Sequence, residues 1–276
     1  MEKDVRDKVY KAFHEDIEHA DFSEIDKLKQ QLDDLKPYDD FVPYALRSYK
    51  EAFEVRFIYE SVAIENENIT LSDVDTVLEG KYIPANISSL RDIFSIKGCI
   101  DGCAFIDMKL KKNRELTRKL IKEIHEKVLL EYPVEIRGVY RSVPICINGS
   151  LTEVAKPEEI SDLMHSLFWF FERSYEHPIG MAAAFHVMFE NIHPFQDGNG
   201  RTGRLVLNYM LQQFGYPPII IKHGPTNNYK LALQEWQVYG NSEMFINLVK
   251  DCLMKELKEY IKIIEITRKT VKNLNE

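Results

Sequence analysis

Long apolar runs are missing from this chain. Its most hydrophobic stretches, such as Leu167 to Phe171, fall far short of the roughly 20 residues that a membrane-spanning helix needs, so no membrane partner is expected. Cysteine is also scarce, with four in 276 residues at Cys99, Cys103, Cys146 and Cys252, which excludes a disulfide framework. The N-terminus has acidic residues where a signal peptide would be basic and then apolar, and the two features together set the expectation of a reducing cytoplasm. Cys99 and Cys103 fall four apart in an apolar helical pattern and read as small core residues. The 36 Lys and Arg do not outnumber the 44 Asp and Glu, and the net charge of −8 excludes a protein whose main task is gripping a nucleic-acid backbone. Internal repeats, low-complexity blocks and a clear linker are all lacking. So is an HExxH arrangement, and His186, seven residues before His193, therefore reads as a core histidine and not as half of a metal site.

Alternation of apolar and polar residues is confined to one short region, whereas apolar residues recur at helical spacing almost everywhere. The fold class that follows is mainly α, a helical bundle with one short β-hairpin. Ile25, Leu28, Leu32 and Leu35 form a stripe that stops at Pro37, and a broader helix carries Phe53, Phe57 and Ile64. Thr70 with Asp73 marks a helix start and Gly80 a stop, after which Leu90 to Met108 and Leu116 to Leu129 predict two longer helices. Val139, Arg141, Val143, Ile145 and Ile147 alternate with Tyr140, Ser142, Pro144 and Cys146 ahead of the turn signal Asn148-Gly149, which predicts strands there and nowhere else. Pro157 and Pro178 each open a helix, the first reaching about Tyr175 and carrying Phe168 to Phe171 as core. The second contains Met181 to Phe185, apolar on nearly all sides and so central, and ends near Asn191. A third helix runs from about Gly200 to Gly215, and the Lys-rich end beyond Ser242 predicts a solvated helix.

Between the central helix and the next lies His193-Pro-Phe-Gln-Asp-Gly-Asn-Gly-Arg-Thr-Gly-Arg204. Gly198 and Gly200 let the backbone approach a ligand closely, and a helix starting there aims free N–H groups at the same point, which makes an anion site. Arg201 and Arg204, three apart, share a face and can each fork onto phosphate oxygens. Asp197 beside those phosphates would be repelled unless a divalent cation lay between, and Mg2+ is the usual bridge. His193 at the loop entrance is placed to take a proton from an attacking hydroxyl.

These residues meet all eight fixed positions of the Fic family signature HxFx(D/E)GNGRxxR, and the chain resembles that family from about Phe57 to Val249. The resemblance implies a protein adenylyltransferase moving AMP from ATP onto a Ser, Thr or Tyr hydroxyl of a target protein, with His193 as general base and Phe195 anchoring the loop. It further implies Asp197 on Mg2+, Gly198, Asn199 and Gly200 shaping the anion hole, and Arg201 and Arg204 on the β and γ phosphates. Gly138-Val-Tyr-Arg141 is similar to the entry of the family's target-binding flap, here Tyr140, Arg141, Ser142, Val143, Pro144 and Ile145. Tyr229 stands where relatives contact the adenine, although an aromatic ahead of a helix reads equally as core. Ser61-Val-Ala-Ile-Glu65-Asn66 matches the family's inhibitory pattern, which implies that Glu65 pairs with Arg204 and fills the γ-phosphate position. On this reading residues 1–50 are a helical extension, 51–80 the inhibitory helix and its successor, 81–255 the Fic core and 256–276 a helical tail. The resemblance leaves open removal of AMP as the direction, a non-catalytic nucleotide-sensing role, self-modification and homo-oligomer formation.

Overall fold

The computed structural model describes residues 14–80, 90–146, 154–224 and 228–275. Its α-helices are α1 (Ser23–Asp34), α2 (Val42–Ala63), α3 (Leu71–Leu78), α4 (Leu90–Lys111) and α5 (Arg118–Val128), followed by α6 (Ile160–Phe171), α7 (Pro178–Ile192), α8 (Asn199–Gln213), α9 (Tyr229–Tyr239) and α10 (Glu243–Asn275). Pro43 and Pro178 sit in the first turns of α2 and α7, where a missing N–H costs nothing. Thr70 and Asp73 close a reciprocal capping box on α3, with Asp73 N–H donating to Thr70 Oγ1 at 3.2 Å and Thr70 N–H to Asp73 Oδ2 at 2.8 Å, an arrangement worth about 1 kcal/mol.

Every residue of α7 from Ile179 to Glu190 is buried, as its all-round apolarity requires, because α6, α8, α9 and α10 all pack against it. The following helix α8 is enclosed by α2, α4, α5 and α7. The α7–α8 connection is therefore held at the centre of the bundle, and α2 brings its C-terminal end to the same place. α10 binds α1 and α2 to the bundle, lying along both and along α7.

Two expectations need correction. No strand forms over residues 139–146. The backbone there is committed elsewhere, with Arg141 N–H donating to Pro194 O at 2.9 Å and Val143 O accepting from the Arg141 guanidinium at 3.2 Å, so no ladder partner lies alongside it among the described residues. The Asn148-Gly149 turn lies outside the described residues. Trp169, expected in the core with its aromatic neighbours, is 45% exposed while Phe168 is 4% exposed. Adjacent positions on a helix face 100° apart, and Trp169 takes the outer face with Arg173 over its ring.

Candidate active site

α7 ends on His193, whose φ of +51° is left-handed and turns the chain sharply out of the helix. Its Nδ1 lies 3.2 Å from Glu190 O, and because a carbonyl can only accept, Nδ1 carries the proton and Nε2 is the basic nitrogen. Burial, with the charge of Arg141 adding to it, lowers the imidazole to about 4, so the ring is neutral at physiological pH. Arg141 is itself buried and donates to His193 O at 2.8 Å and to Ala155 O. The loop then folds back through Asn199, whose side chain accepts from Phe195 N–H at 2.9 Å and donates to Phe195 O at 2.8 Å. Phe195 is driven fully into the core against His125 and Tyr140. Gly198, at φ +70°, makes the left-handed turn into α8, where the first amides lack helical partners.

Arg201 and Arg204 lie on the buried first turns of α8, 2% and 3% exposed. Glu65, in the turn just after α2, bridges them: Arg201 Nε donates to Oε2 at 2.9 Å and Arg204 Nη2 to Oε1 at 3.0 Å. The resemblance implies one such pair and the structure has two. Arg201 is further held by Glu131 and by Val128 O at 3.3 Å. Arg204 donates through Nε to Ser61 Oγ at 2.9 Å and through Nη2 to Ser61 O at 2.6 Å. Burial works against both charges, but Glu65 and Glu131 around Arg201, and Tyr229, Glu65 and Glu190 around Arg204, outweigh it and hold both guanidiniums above their usual range. A Cβ on Gly200 would stand 2.8 Å from Arg204 Nη1 and 3.0 Å from Glu65 Oε1, so only glycine leaves this ion bridge undisturbed.

Asp197 Oδ1 accepts from Gly198 N–H at 2.6 Å, and Oδ2 accepts from Tyr132 OH at 2.6 Å and Arg91 Nη2 at 2.9 Å. Burial alone would raise this carboxyl, but those hydrogen bonds and the charges of Arg201 and Arg91 keep it below its ordinary value and ionised. Among the described residues no three His, Cys, Asp or Glu gather to hold a metal. One ionised carboxylate facing a cavity that also holds the Arg201 and Arg204 guanidiniums is nevertheless a donor set that fits Mg2+, which ordinarily takes one or two carboxylates from a protein and the rest from substrate phosphates and water. Arg91 and Tyr132 would have to yield Oδ2.

His193, Asp197, Gly198, Asn199, Gly200, Arg201, Arg204, Glu65 and Tyr229 all border one cavity of about 1240 Å³, above the usual 300–1,000 Å³ of a small-molecule site. Ile145 lines it too, and Ser142, Val143 and Pro144 are exposed beside it. Arg141 and Tyr140 are turned inward instead, Arg141 beneath His193 and Tyr140 onto Phe195. Tyr229 is buried, with its OH 3.0 Å from His186 Nε2 and its ring near the Arg204 guanidinium. His186 is 1% exposed, within the core. Glu131, Tyr132, Arg91 and Glu190 have no signal in the sequence, since Arg91 comes from α4, Glu131 and Tyr132 from the segment after α5 and Glu190 from α7, and only the fold brings them to one place. Glu190 is buried against Arg204, and desolvation raises its carboxyl to about 8 despite that charge.

Residues 115–211 match the Fic/DOC family. The chain is 32% identical over 250 residues to the protein adenylyltransferase Fic of Aedes aegypti, covering 89% of this chain and 49% of that one. It is 30% identical over 251 residues to that of Nematostella vectensis, covering 89% and 57%. The chain thus spans about half the length of the curated relatives it matches. Among solved structures, a Fic domain containing signaling protein from Bacteroides thetaiotaomicron superimposes with a TM-score of 0.77 at 27% identity, covering 88% of this chain and 97% of that one. Fic-1 from C. elegans does so with a TM-score of 0.75 at 25% identity, covering 88% and 72%. No helix among the described residues is long and apolar enough to cross a membrane.

Proposed function

This chain belongs to the Fic/DOC family, and on that premise we propose that it is a protein adenylyltransferase, held off by its own Glu65. What carries the reading is the ion bridge from Glu65 to Arg201 and Arg204, because it joins the two strongest anion-binding groups of the cavity to a built-in carboxylate. ATP binds with its phosphates on the α8 amides and the two arginines once Glu65 withdraws. His193 Nε2 then takes the proton of a target Ser, Thr or Tyr hydroxyl. That oxygen bonds to the α-phosphorus, the bond from the α-phosphorus to the bridging oxygen breaks, and pyrophosphate leaves with the electron pair. Asp197 would hold Mg2+, which when bound neutralises charge on the phosphates and the leaving group. The target docks along the Ser142 to Pro144 segment, whose exposure beside the cavity suits an extended chain, and a second copy of this protein is one such target. A cytoplasmic setting fits the free thiols at Cys99, Cys103, Cys146 and Cys252.

With Glu65 in place, Arg204 is drawn off the γ-phosphate position and the α-phosphate loses its alignment with His193, a misplacement that can cost about 100-fold. Wild type, Glu65→Gly and Glu65→Gly/His193→Ala are therefore incubated with Mg2+ and ATP labelled at the α-phosphate, both alone and with lysate protein. Label should rise by about 100-fold in Glu65→Gly and vanish in the double variant. Equal, low labelling of wild type and Glu65→Gly would sink the brake, and label that survives loss of His193 would sink the base.

A further inference from the structure

His125 lies on the apolar stripe of α5 with Ile121, Ile124 and Val128, and like them it is fully buried. Its ring stacks flat on Phe195, with centroids 3.7 Å apart and planes 5° apart. Both ring nitrogens are engaged, and each by a group with only one possible role. Gly138 N–H donates to Nδ1 at 2.8 Å, so Nδ1 bears no proton. Nε2 lies 2.9 Å from Asp197 O, a pure acceptor, so Nε2 bears it. The opposite tautomer would set N–H against N–H at Gly138 and a lone pair against the Asp197 carbonyl, leaving two partly buried backbone groups unsatisfied.

The two anchored points are the boundaries of the functional segments. Asp197 ends the turn that carries the cavity carboxylate, and Gly138 opens the segment that leads to Ser142 and Pro144. Gly138 has a φ of +69°, and a Cβ there would stand 2.8 Å from Lys122 O, so this turn is pressed onto α5 as well as bonded to it. Phe195 between the two points is fixed by the face of the same ring.

We propose that His125 is a positioning residue that holds the entry of the target-binding segment and the carboxylate end of the catalytic loop in one register, joining target docking to nucleotide placement through a single imidazole. Its kinetic consequence rests on the transferase reading, whereas its geometry does not. The two bonds can be separated by carboxamides, since an Asn side chain places its oxygen near Nδ1 and a Gln side chain places its amide nitrogen near Nε2.

In the Glu65→Gly background, His125→Asn should keep the Gly138 amide protected from hydrogen exchange and expose the amides of residues 195–200. Its kcat should fall about tenfold while KM for the target holds within about twofold. His125→Gln should do the reverse, with exchange rising at Gly138, KM for the target rising about fivefold and kcat holding within about twofold. The same exchange pattern and equal kinetic losses in both variants would reduce His125 to a core residue and overturn the proposal. Exchange is measured without nucleotide, so split exchange patterns in a protein that never transfers AMP would overturn the transferase reading and leave the positioning standing. On the chain with His125 unaltered, the imidazole 15N shifts should report an Nε2–H tautomer, and an Nδ1–H tautomer would overturn the proposal even if neither variant folded.

Discussion

A left-handed backbone costs a side chain with a Cβ about 1–2 kcal/mol, and His193 adopts it at φ +51° because the surroundings over-determine the turn. Arg141 holds the His193 carbonyl from below, Pro194 O is taken by the Arg141 amide, and Asn199 locks Phe195 from both sides. The same enclosure sets the chemistry. Burial and the Arg141 charge lower the imidazole to about 4, below the ordinary 6.5, so the base form is complete at pH 6 and is lost only as pH falls toward 4. In Glu65→Gly, kcat/KM for AMP transfer should stay level from pH 8 to pH 6 and fall on an acid limb near pH 4. A limb near 6.5 would mean that His193 is solvated as an ordinary histidine. At this scale the contiguous loop is legible in the sequence, because its residues sit side by side in the chain and their offsets carry the chemistry. Glu131, Tyr132, Arg91 and His125 are not, since they reach the loop from α4, α5 and the segment after it, and only folding makes them neighbours. The sequence pattern puts Arg141 on a surface flap, for composition cannot tell a guanidinium that faces a partner from one that caps carbonyls inside.

Helices are legible as elements because burial on one face leaves a periodic trace, and α7 stands out because it is buried on every face. The segment 139–146 misleads because alternation records side-chain type, whereas a strand also needs a partner for its backbone. Close helix approach leaves no periodic trace at all. A Cβ on Gly98 of α4 would stand 2.0 Å from the carbonyl oxygen of Val128 in α5, and that same oxygen accepts from Arg201 at 3.3 Å. Backbone cannot swing aside as a side chain can. Gly98→Ala should therefore separate α4 from the end of α5, cost about 1–3 kcal/mol in urea denaturation and loosen Arg201. Gly102→Ala, one turn further on, should cost less, because its Cβ would meet the Leu205 Cδ1 methyl at 2.6 Å and a methyl can change rotamer. Equal losses in the two variants would show that the interface relaxes as a whole and that Gly98 has no special place in it.

The whole molecule brings two buried cations to the start of α8 and supplies their counter-charge from the end of α2, more than 130 residues earlier in the chain. Glu65 sits past the C-terminal end of α2, where the helix dipole disfavours a negative charge by about 0.3–1 kcal/mol, so it is the arginines that hold it there. Removing it leaves Arg201 with Glu131, whereas Arg204 keeps Ser61, Tyr229 and the protonation-prone Glu190 nearby. Breaking a fully buried pair costs about 3–5 kcal/mol, and because Glu65 is 32% exposed on the cavity side, screening should bring the loss nearer to about 2 kcal/mol. On the proposed reading, ATP offers the same arginines a stronger anion. In wild type its phosphates must first displace Glu65 from two ion pairs, and in Glu65→Gly they meet no competitor, while a ligand at 100 times its Kd stabilises by about 2.7 kcal/mol. Without nucleotide, Glu65→Gly should melt below wild type. Saturating ATP with Mg2+ should then raise the variant far more than wild type and reverse their order. Equal shifts in the two proteins would mean that Glu65 and the phosphates do not contend for Arg201 and Arg204, and that the carboxylate serves the fold and not the control of the site.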